Sequence, residues 1–241
     1  MSSVTNPEAI LILDFDGTTT RQDAVDAILE AYADPAWLIF EEEWRKGRIG
    51  SRDCLRAQIS LLRVTREELN ALLDEIEVDD GLESLLQMCA IRNIPAHIVS
   101  DGFDYCIRRI LGRAGSKVPA LLRDRRVCAS RIEPRGKLWR IDFPFFYQTC
   151  AHGCATCKPA VMRLLNPAGA RVVFVGDGLS DQYAVAAADL VFAKNSLATY
   201  CMEHSIEYVP YRTLTDVREY LDSWLISRAF SRDREKRLVS A

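Results

Sequence analysis

The sequence predicts an α/β fold, a doubly wound parallel sheet with a small helical cap inserted after the first strand. Short apolar runs recur at residues 9–13, 96–99, 172–175 and 190–192, and the first of them has no polar interruption. Such runs are typical of strands that are buried on both faces of a parallel sheet. Helical stretches separate most of these runs, and this alternation indicates βαβ units. A chain of 241 residues is long enough for one such domain with an insertion.

The composition is that of a folded globular protein, with 49% hydrophobic and 27% charged residues. The net charge of −3 provides no basic excess to neutralise a phosphate backbone, so we expect no nucleic-acid partner. The apolar run at residues 10–13 is too short for a membrane span or a signal peptide. We therefore expect a cytoplasmic protein without a membrane partner, either a monomer or a homodimer.

The first apolar run ends at Asp14-Phe15-Asp16-Gly17, which indicates a strand followed by a turn. The next segment shows helical patterns only, at residues 22–32, 35–46, 51–62 and 66–74. Thr65, with Glu68 three residues later, predicts a capping box for the last of these helices. We interpret residues 21–78 as the cap, and residues 1–20 together with 79–227 as the core.

The remaining segments continue the alternation of strands and helices. Helices are predicted at residues 102–113, 158–165, 179–188 and 197–204. Between Arg125 and Phe143, two short β runs around Arg135-Gly136 indicate a hairpin. Residues 228–241 carry several basic side chains among few apolar ones, and we expect a charged, frayed tail there.

Polar residues follow the predicted strands at the points where the strands end. Because ligands bind outside the carboxyl ends of the strands in open α/β sheets, we expect these residues to converge on one site. A lysine at the start of a predicted helix belongs to the same set. The candidates are Asp14, Asp16, Ser100, Asp101, Gly102, Lys158, Asp177 and Asp181.

This set of residue types suits the hydrolysis of a phosphate monoester. The uncatalysed reaction is among the slowest known, so an enzyme must supply both a nucleophile and charge stabilisation. A carboxylate can attack phosphorus, and a hard cation such as Mg²⁺ can offset its repulsion from the substrate. A second carboxyl group can protonate the leaving oxygen and then activate water. A hydroxyl, backbone N–H groups and a lysine can hold the phosphoryl oxygens.

Four motifs in order resemble those of the haloacid dehalogenase superfamily. They are Asp14-Phe15-Asp16-Gly17-Thr18, Ser100, Lys158 and Gly176-Asp177-Gly178-Leu179-Ser180-Asp181. The resemblance implies that Asp14 is the nucleophile and a metal ligand. Asp16 would be the general acid and base, with its backbone carbonyl on Mg²⁺.

The same resemblance assigns the remaining motif residues. Ser100 and the main-chain N–H groups beside it, at Asp101 and Gly102, would bind the phosphoryl group. Lys158 would neutralise that group and fix the nucleophile. Asp177 would ligate the metal, and Asp181 would support the metal site or bind the ion through water.

The inserted helices and the hairpin resemble the phosphoserine-phosphatase-like branch of this superfamily. Cys157-Lys158-Pro159, preceded by other cysteines, resembles a subgroup that contains 2-hydroxy-3-keto-5-methylthiopentenyl-1-phosphate phosphatase. The fourth motif, with Gly178 after Gly176-Asp177, is more similar to that of phosphoethanolamine and phosphocholine phosphatases. The resemblance therefore implies a phosphatase acting on an enol phosphate or, alternatively, on phosphoethanolamine, phosphocholine or phosphoserine. A phosphomutase and a catalytically inactive binding protein with the same fold are further alternatives.

Two features have more than one interpretation. Asp23 lies nine residues after Asp14, and we hypothesise that it contacts the polar or cationic leaving group of the substrate. It could equally be an ordinary acid at a helix N-terminus.

Residues 150–157 hold three cysteines and a histidine with spacing that resembles a zinc loop. These residues are Cys150, His152, Cys154 and Cys157. A redox-sensitive pair is a second interpretation, and a packed thiol-rich loop is the favoured one.

Overall fold

The computed structural model describes residues 6–113, 118–122 and 127–239. Its strands form one seven-stranded sheet in the order β4-β3-β2-β1-β5-β6-β7. β3 and β4 pair antiparallel, and the other neighbours pair in parallel. The strands are β1 Ala9–Leu13, β2 Ala96–Phe103, β3 Val127–Arg135, β4 Leu138–Asp142, β5 Arg171–Gly176, β6 Leu190–Ala193 and β7 Val209–Pro210.

Helices connect and follow these strands. The first five fall between β1 and β2, and the last follows β7. They are α1 Ala24–Tyr32, α2 Trp37–Arg45, α3 Ser51–Leu61, α4 Arg66–Leu73, α5 Leu82–Ile91, α6 Asp104–Leu111, α7 Val118–Leu122, α8 Lys158–Leu165, α9 Asn195–Glu203 and α10 Leu214–Val239. In the part of the chain that the structure describes, no helix is both long and apolar enough to span a membrane.

The sheet is doubly wound, as predicted. From β1 the chain builds outward through β2 and β3, and then returns to add β5, β6 and β7 on the other side. The direction reverses between β1 and β5, where Leu13 pairs with Val175. Such a switch point leaves a crevice at the carboxyl ends of the strands, where ligands bind in folds of this class.

The central strand β1 is buried on both faces, which explains its unbroken apolar sequence. Leu11 and Leu13 belong to a hydrophobic cluster that also contains residues of α5, α6 and α10. Ile10 and Ile12 point to the opposite face and pack with residues of α8 and α9. Alternate side chains of one strand thus join two helical layers to the sheet.

Four of the five helices between β1 and β2, α1 to α4, lie in the segment predicted as a cap. The predicted capping box is present, with Thr65 and Glu68 bonding reciprocally. An isolated antiparallel bridge joins Thr20 to Val78 where this block leaves and re-enters the rest of the chain. This bridge supports the interpretation of residues 21–78 as an insertion. The block packs against the hairpin of β3 and β4.

Two sequence predictions need correction. The helix predicted at residues 179–188 is instead two short 3₁₀ turns, at 179–181 and 185–187. The carboxylate of Asp181 accepts the backbone N–H groups before it and so holds this segment in a turn. The tail expected to be frayed from residue 228 continues as helix α10 to Val239. Residues 1–5, 125–126 and 240–241 of the predicted segments lie outside the described residues.

Candidate active site

The candidate residues meet around one cavity of about 880 Å³ between the sheet edge and the cap. The loops that follow β1 and β5, together with the carboxyl-terminal end of β2, supply its core side, as expected for an open α/β sheet. Lys158 and Asp181 are buried near this side; Lys158 bonds Asp14, and a carboxylate oxygen of Asp181 lies within 4.8 Å of one of Asp14. The core side is lined by Asp14, Asp16, Ser100, Asp101, Gly102 and Asp177, and the cap side includes Asp23, Asp26, Glu41, Trp44, Arg45 and Ser51.

Lys158 is only 2% exposed and lies between two carboxylates. Its Nζ donates to Asp14 Oδ1 at 2.7 Å and also to Asp181 Oδ1. Burial alone would lower the pKa of Lys158, but attraction to Asp14 and Asp181 outweighs it and raises the pKa. The lysine is therefore a fixed positive charge beside one oxygen of Asp14.

Asp181 is fully buried and both of its oxygens are engaged. Oδ1 accepts from Lys158, and Oδ2 accepts from the N–H groups of Asp177 and Gly178 at 3.0 and 3.1 Å. This carboxylate thus fixes both the lysine and the turn that carries Asp177.

Asp177 is oriented by two side chains from separate loops. Thr18 Oγ1 donates to Asp177 Oδ1 at 3.0 Å, and Asn195 Nδ2 donates to Oδ2 at 3.1 Å. Gly17 approaches the same carboxylate with φ of +69°, and a Cβ there would lie 2.5 Å from Asp177 Oδ2. Position 17 therefore needs glycine for both its backbone conformation and its space.

The carboxylates of Asp14, Asp177 and Asp181 can hold a metal ion, since one oxygen from each lies within 4.8 Å of the others. Burial raises the pKa of Asp14 and Asp177, and repulsion from Asp181 raises both further. A hard divalent cation would relieve this repulsion, and oxygen donors are those that Mg²⁺ prefers. The donor set therefore fits the predicted ion.

Asp16 lies outside this group of side chains. Its Oδ1 accepts from the N–H of Ala24 at 2.9 Å, and its other oxygen lies against Gly102, where a Cβ would overlap it. Burial, and repulsion from Asp23, raise the pKa of Asp16 well above its ordinary value. A raised pKa favours the protonated form, in which a carboxyl group can act as a general acid.

The carboxyl-terminal end of β2, where its register with β3 shifts, is shaped by its own serine, so Ser100 lies within the strand and does not follow it as the sequence predicted. Ser100 is 1% exposed, and its Oγ accepts from the N–H of Gly102 at 2.9 Å. The side chain of Asp101 instead bonds Ser51 of the cap and the backbone of Thr156. Both Ser100 and Gly102 line the cavity.

Asp23 takes the ordinary structural role that the sequence offered as an alternative. It is the N-cap of α1, and its Oδ1 accepts from the N–H of Asp26 at 2.9 Å. It also lines the cavity, where solvent reaches it. Substrate contact by Asp23 stays a prediction, because capping leaves room for it.

The cysteine loop packs its thiols together. The thiols of Cys150, Cys154 and Cys157 lie close enough to interact, and Cys157 occupies the N-cap position of α8 without a side-chain capping bond. The His152 ring stacks on Tyr183, with 3.7 Å between the ring centroids. Among the described residues, the acidic group is the one that brings three metal-ligating atoms together, and the cysteines do not. These contacts support the packed-loop interpretation.

Sequence reasoning assigned no role to three residues that shape this site. Thr18 belongs to the first motif, but nothing in the motif shows which acid it would contact. Asn195 follows β6, so the strand-end argument would have found it; its φ of 49° is a conformation that asparagine tolerates better than most residues. Ser51 starts a cap helix, and no signal in the sequence connects it with the site.

Comparisons with known proteins agree with this geometry. A family model described as haloacid dehalogenase-like hydrolase matches residues 11–185. The chain is 28% identical over 218 residues to the 2-hydroxy-3-keto-5-methylthiopentenyl-1-phosphate phosphatase of Geobacillus thermodenitrificans (strain NG80-2), covering 89% of this chain and 96% of that protein. The protein of the same name from Geobacillus kaustophilus (strain HTA426) is 29% identical, with the same coverage.

The solved structures show a shared fold. A substrate-bound phosphoserine phosphatase complex superposes with a TM-score of 0.68 at 20% identity, covering 90% of this chain and 99% of that one. A phospho-aspartyl intermediate analogue of phosphoserine phosphatase superposes with a TM-score of 0.66 at 19% identity, with the same coverage.

Proposed function

Because the chain belongs to the haloacid dehalogenase-like hydrolases, we propose that it is a Mg²⁺-dependent phosphatase that acts on a small phosphate monoester through an aspartyl-phosphate on Asp14. One observation carries this proposal. Lys158 Nζ holds one oxygen of Asp14 at 2.7 Å inside a group of carboxylates that can bind a cation. The relatives named above are called phosphatases, which supports the same class of reaction.

In the first step an oxygen of Asp14 attacks phosphorus, and the bond from phosphorus to the ester oxygen breaks. Lys158 holds the other carboxylate oxygen, so one oxygen stays directed at the cavity. Asp16 gives its proton to the leaving oxygen, and its raised pKa supports this role.

In the second step water attacks the phosphorus of the aspartyl-phosphate. Asp16, now a carboxylate, takes a proton from that water, and Asp14 is released with inorganic phosphate as the product. Ser100 Oγ and the backbone N–H groups beside it would hold the phosphoryl oxygens in both steps.

Asp14 and Asp177 would hold Mg²⁺, with Asp181 behind them and the backbone carbonyl of Asp16 as a further ligand. When bound, the ion supplies positive charge that offsets the repulsion between carboxylates and the phosphate dianion. Thr18 and Asn195 orient Asp177 toward this task.

The finer identity of the substrate follows from the relatives only as a proposal. Their names make 2-hydroxy-3-keto-5-methylthiopentenyl-1-phosphate the first compound to test. Phosphoethanolamine, phosphocholine and phosphoserine are the next candidates. A cytoplasmic location and a monomeric or homodimeric state remain predictions.

The test is Asp14→Asn, assayed by phosphate release from p-nitrophenyl phosphate and from the panel above, with and without Mg²⁺. The amide is nearly isosteric but a poor nucleophile, so we expect turnover to fall by at least about 10³-fold. Asp53→Asn, at an exposed position on α3, is the matched control and should keep full turnover.

Each other outcome has a distinct meaning. Retained turnover in Asp14→Asn removes Asp14 as the nucleophile. An isomerised phosphate ester without free phosphate indicates a phosphomutase. No turnover of any compound by the wild-type chain, with Mg²⁺ present, favours a binding protein with this fold.

A further inference from the structure

The start of cap helix α3 makes an unusual contact with the core loop that precedes Lys158. Ser51 is 8% exposed, and its Oγ donates to Asp101 Oδ2 at 2.5 Å. The same Oγ accepts from the N–H of Ala155 at 2.9 Å. A serine hydroxyl has one hydrogen to donate, which goes to Asp101, and its oxygen accepts the hydrogen of the Ala155 N–H. The cap thus inserts one hydroxyl group between the end of β2 and the loop that precedes α8.

Asp101 completes the connection on the core side. Its Oδ1 accepts from the N–H of Thr156 at 2.8 Å, and its Oδ2 accepts from Ser51. Asp101 directly follows Ser100, the residue expected to bind the phosphoryl group. Thr156 lies two residues before Lys158. One carboxylate therefore joins the phosphate-binding segment to the segment that carries the lysine.

The backbone at this contact is shaped to allow it. The N-terminus of α3 has no side-chain cap, and the N–H of Arg52 donates instead to the carbonyl of Gly153 at 3.1 Å. A Cβ at position 50 would overlap that same carbonyl. Gly50 is therefore what permits helix and loop to approach so closely.

We propose that Ser51 and Asp101 are positioning residues that hold the segment before Lys158, and so fix where the lysine meets the nucleophile. This inference rests on the proposed function. Lys158 is the first residue of α8, so a displacement of residues 155–156 moves the start of that helix. A displacement of about 1 Å in a catalytic group can lower a rate as much as 10²-fold. The cap would then contribute to catalysis from outside the substrate.

The primary test compares Ser51→Ala with Ser60→Ala in the full-length protein with Mg²⁺. Ser60 lies on the same helix, is exposed, and bonds only a carbonyl of its own helix at 2.6 Å among the described residues. With p-nitrophenyl phosphate as the probe, we expect kcat of Ser51→Ala to fall about 10- to 100-fold, with KM within about threefold of wild type. Ser60→Ala should match wild type, and Ser51→Thr, which keeps the hydroxyl, should recover much of the loss.

A double-mutant cycle tests whether the two residues act together. Asp101→Ala, which removes both hydrogen-bonding oxygens, should also lower kcat, and adding Ser51→Ala to it should lower kcat little further, since the connection is already broken. Thermal melting of each variant checks the fold. If Asp101→Ala does not fold, the comparison of Ser51→Ala with Ser51→Thr decides.

The contradicting results are specific. The inference is overturned if Ser51→Ala keeps the kcat of Ser60→Ala, or if it lowers the melting temperature without lowering kcat. It is also overturned if Ser51→Thr is no faster than Ser51→Ala while melting like wild type. Failure of the proposed function looks different, because then the wild-type chain itself releases no phosphate from any compound of the panel.

Discussion

The core and cap halves of the cavity differ in how their charges are balanced. In the core half, Lys158 is buried between Asp14 and Asp181, so the charged groups are fixed before any substrate arrives. In the cap half, Asp23 and Asp26 form no salt bridge with any residue that the structure describes. The core is thus preorganised for the phosphoryl group, which is common to all monoesters. Under the proposed function, the cap carboxylates are available to the part of the substrate that varies.

The sharpest way to break this contrast is to replace by methionine the buried lysine of the core half and, separately, an exposed lysine of the cap outside the cavity. Lys158→Met removes a buried charge and leaves two carboxylates uncompensated, which typically costs about 3–5 kcal/mol of stability. We expect kcat to fall by about 10³-fold, with a clear drop in melting temperature. Lys46→Met on the cap removes an exposed partner of Glu42 and should change both quantities little. Equal effects at the two positions would abolish the distinction.

The next largest effect concerns Asp16, where the two halves meet. Asp16→Asn can still accept the N–H of Ala24 but can no longer transfer a proton. Loss of general acid–base catalysis lowers kcat by about 10²-fold or more. Because p-nitrophenolate leaves without needing a proton, the first step should suffer less with p-nitrophenyl phosphate than with an alkyl phosphate. Single-turnover rates with both substrates measure the difference, and equal losses would assign Asp16 to another role.

The sequence was most informative about the core half. Strand ends in a parallel sheet meet at one edge, so the positions of Asp14, Ser100 and Asp177 in the chain predict their meeting in space. The parallel, doubly wound sheet was also predictable, because the alternation of apolar runs and helices indicates βαβ units. Thr18 and Asn195, which orient Asp177, also follow strands. Their spacing in the sequence does not show which acid they contact.

The sequence was least informative where a tertiary contact overrides local preference. Residues 179–188 have helical periodicity, yet Asp181 draws the segment into turns by bonding backbone N–H groups. Ser51 starts an ordinary amphipathic helix, and its role depends on a loop more than 100 residues later in the chain. Contacts of this kind depend on how separate elements pack together. The hydrophobic periodicity of a segment carries no information about that packing.

The smallest expected effect concerns Asp26, on the cap half. Burial, together with repulsion from Asp23 and Glu41, raises the pKa of Asp26 from 3.8 to about 7. An acid whose pKa is higher in the folded state binds more protons there, so the free energy of unfolding falls as pH rises between these values. Asp26→Asn removes this dependence.

The measurement is thermal melting of Asp26→Asn and wild type at pH 4 to 8. Asp26 is half-buried, so solvent screening limits the change to about 1 kcal/mol or less, or about 2–4 °C for a chain of this size. Wild type should lose more stability than Asp26→Asn over this range, while the exposed Asp53→Asn should follow wild type. If Asp26→Asn follows wild type as well, the cap carboxylates are already compensated, and the two halves of the cavity do not differ in the way their charges suggest.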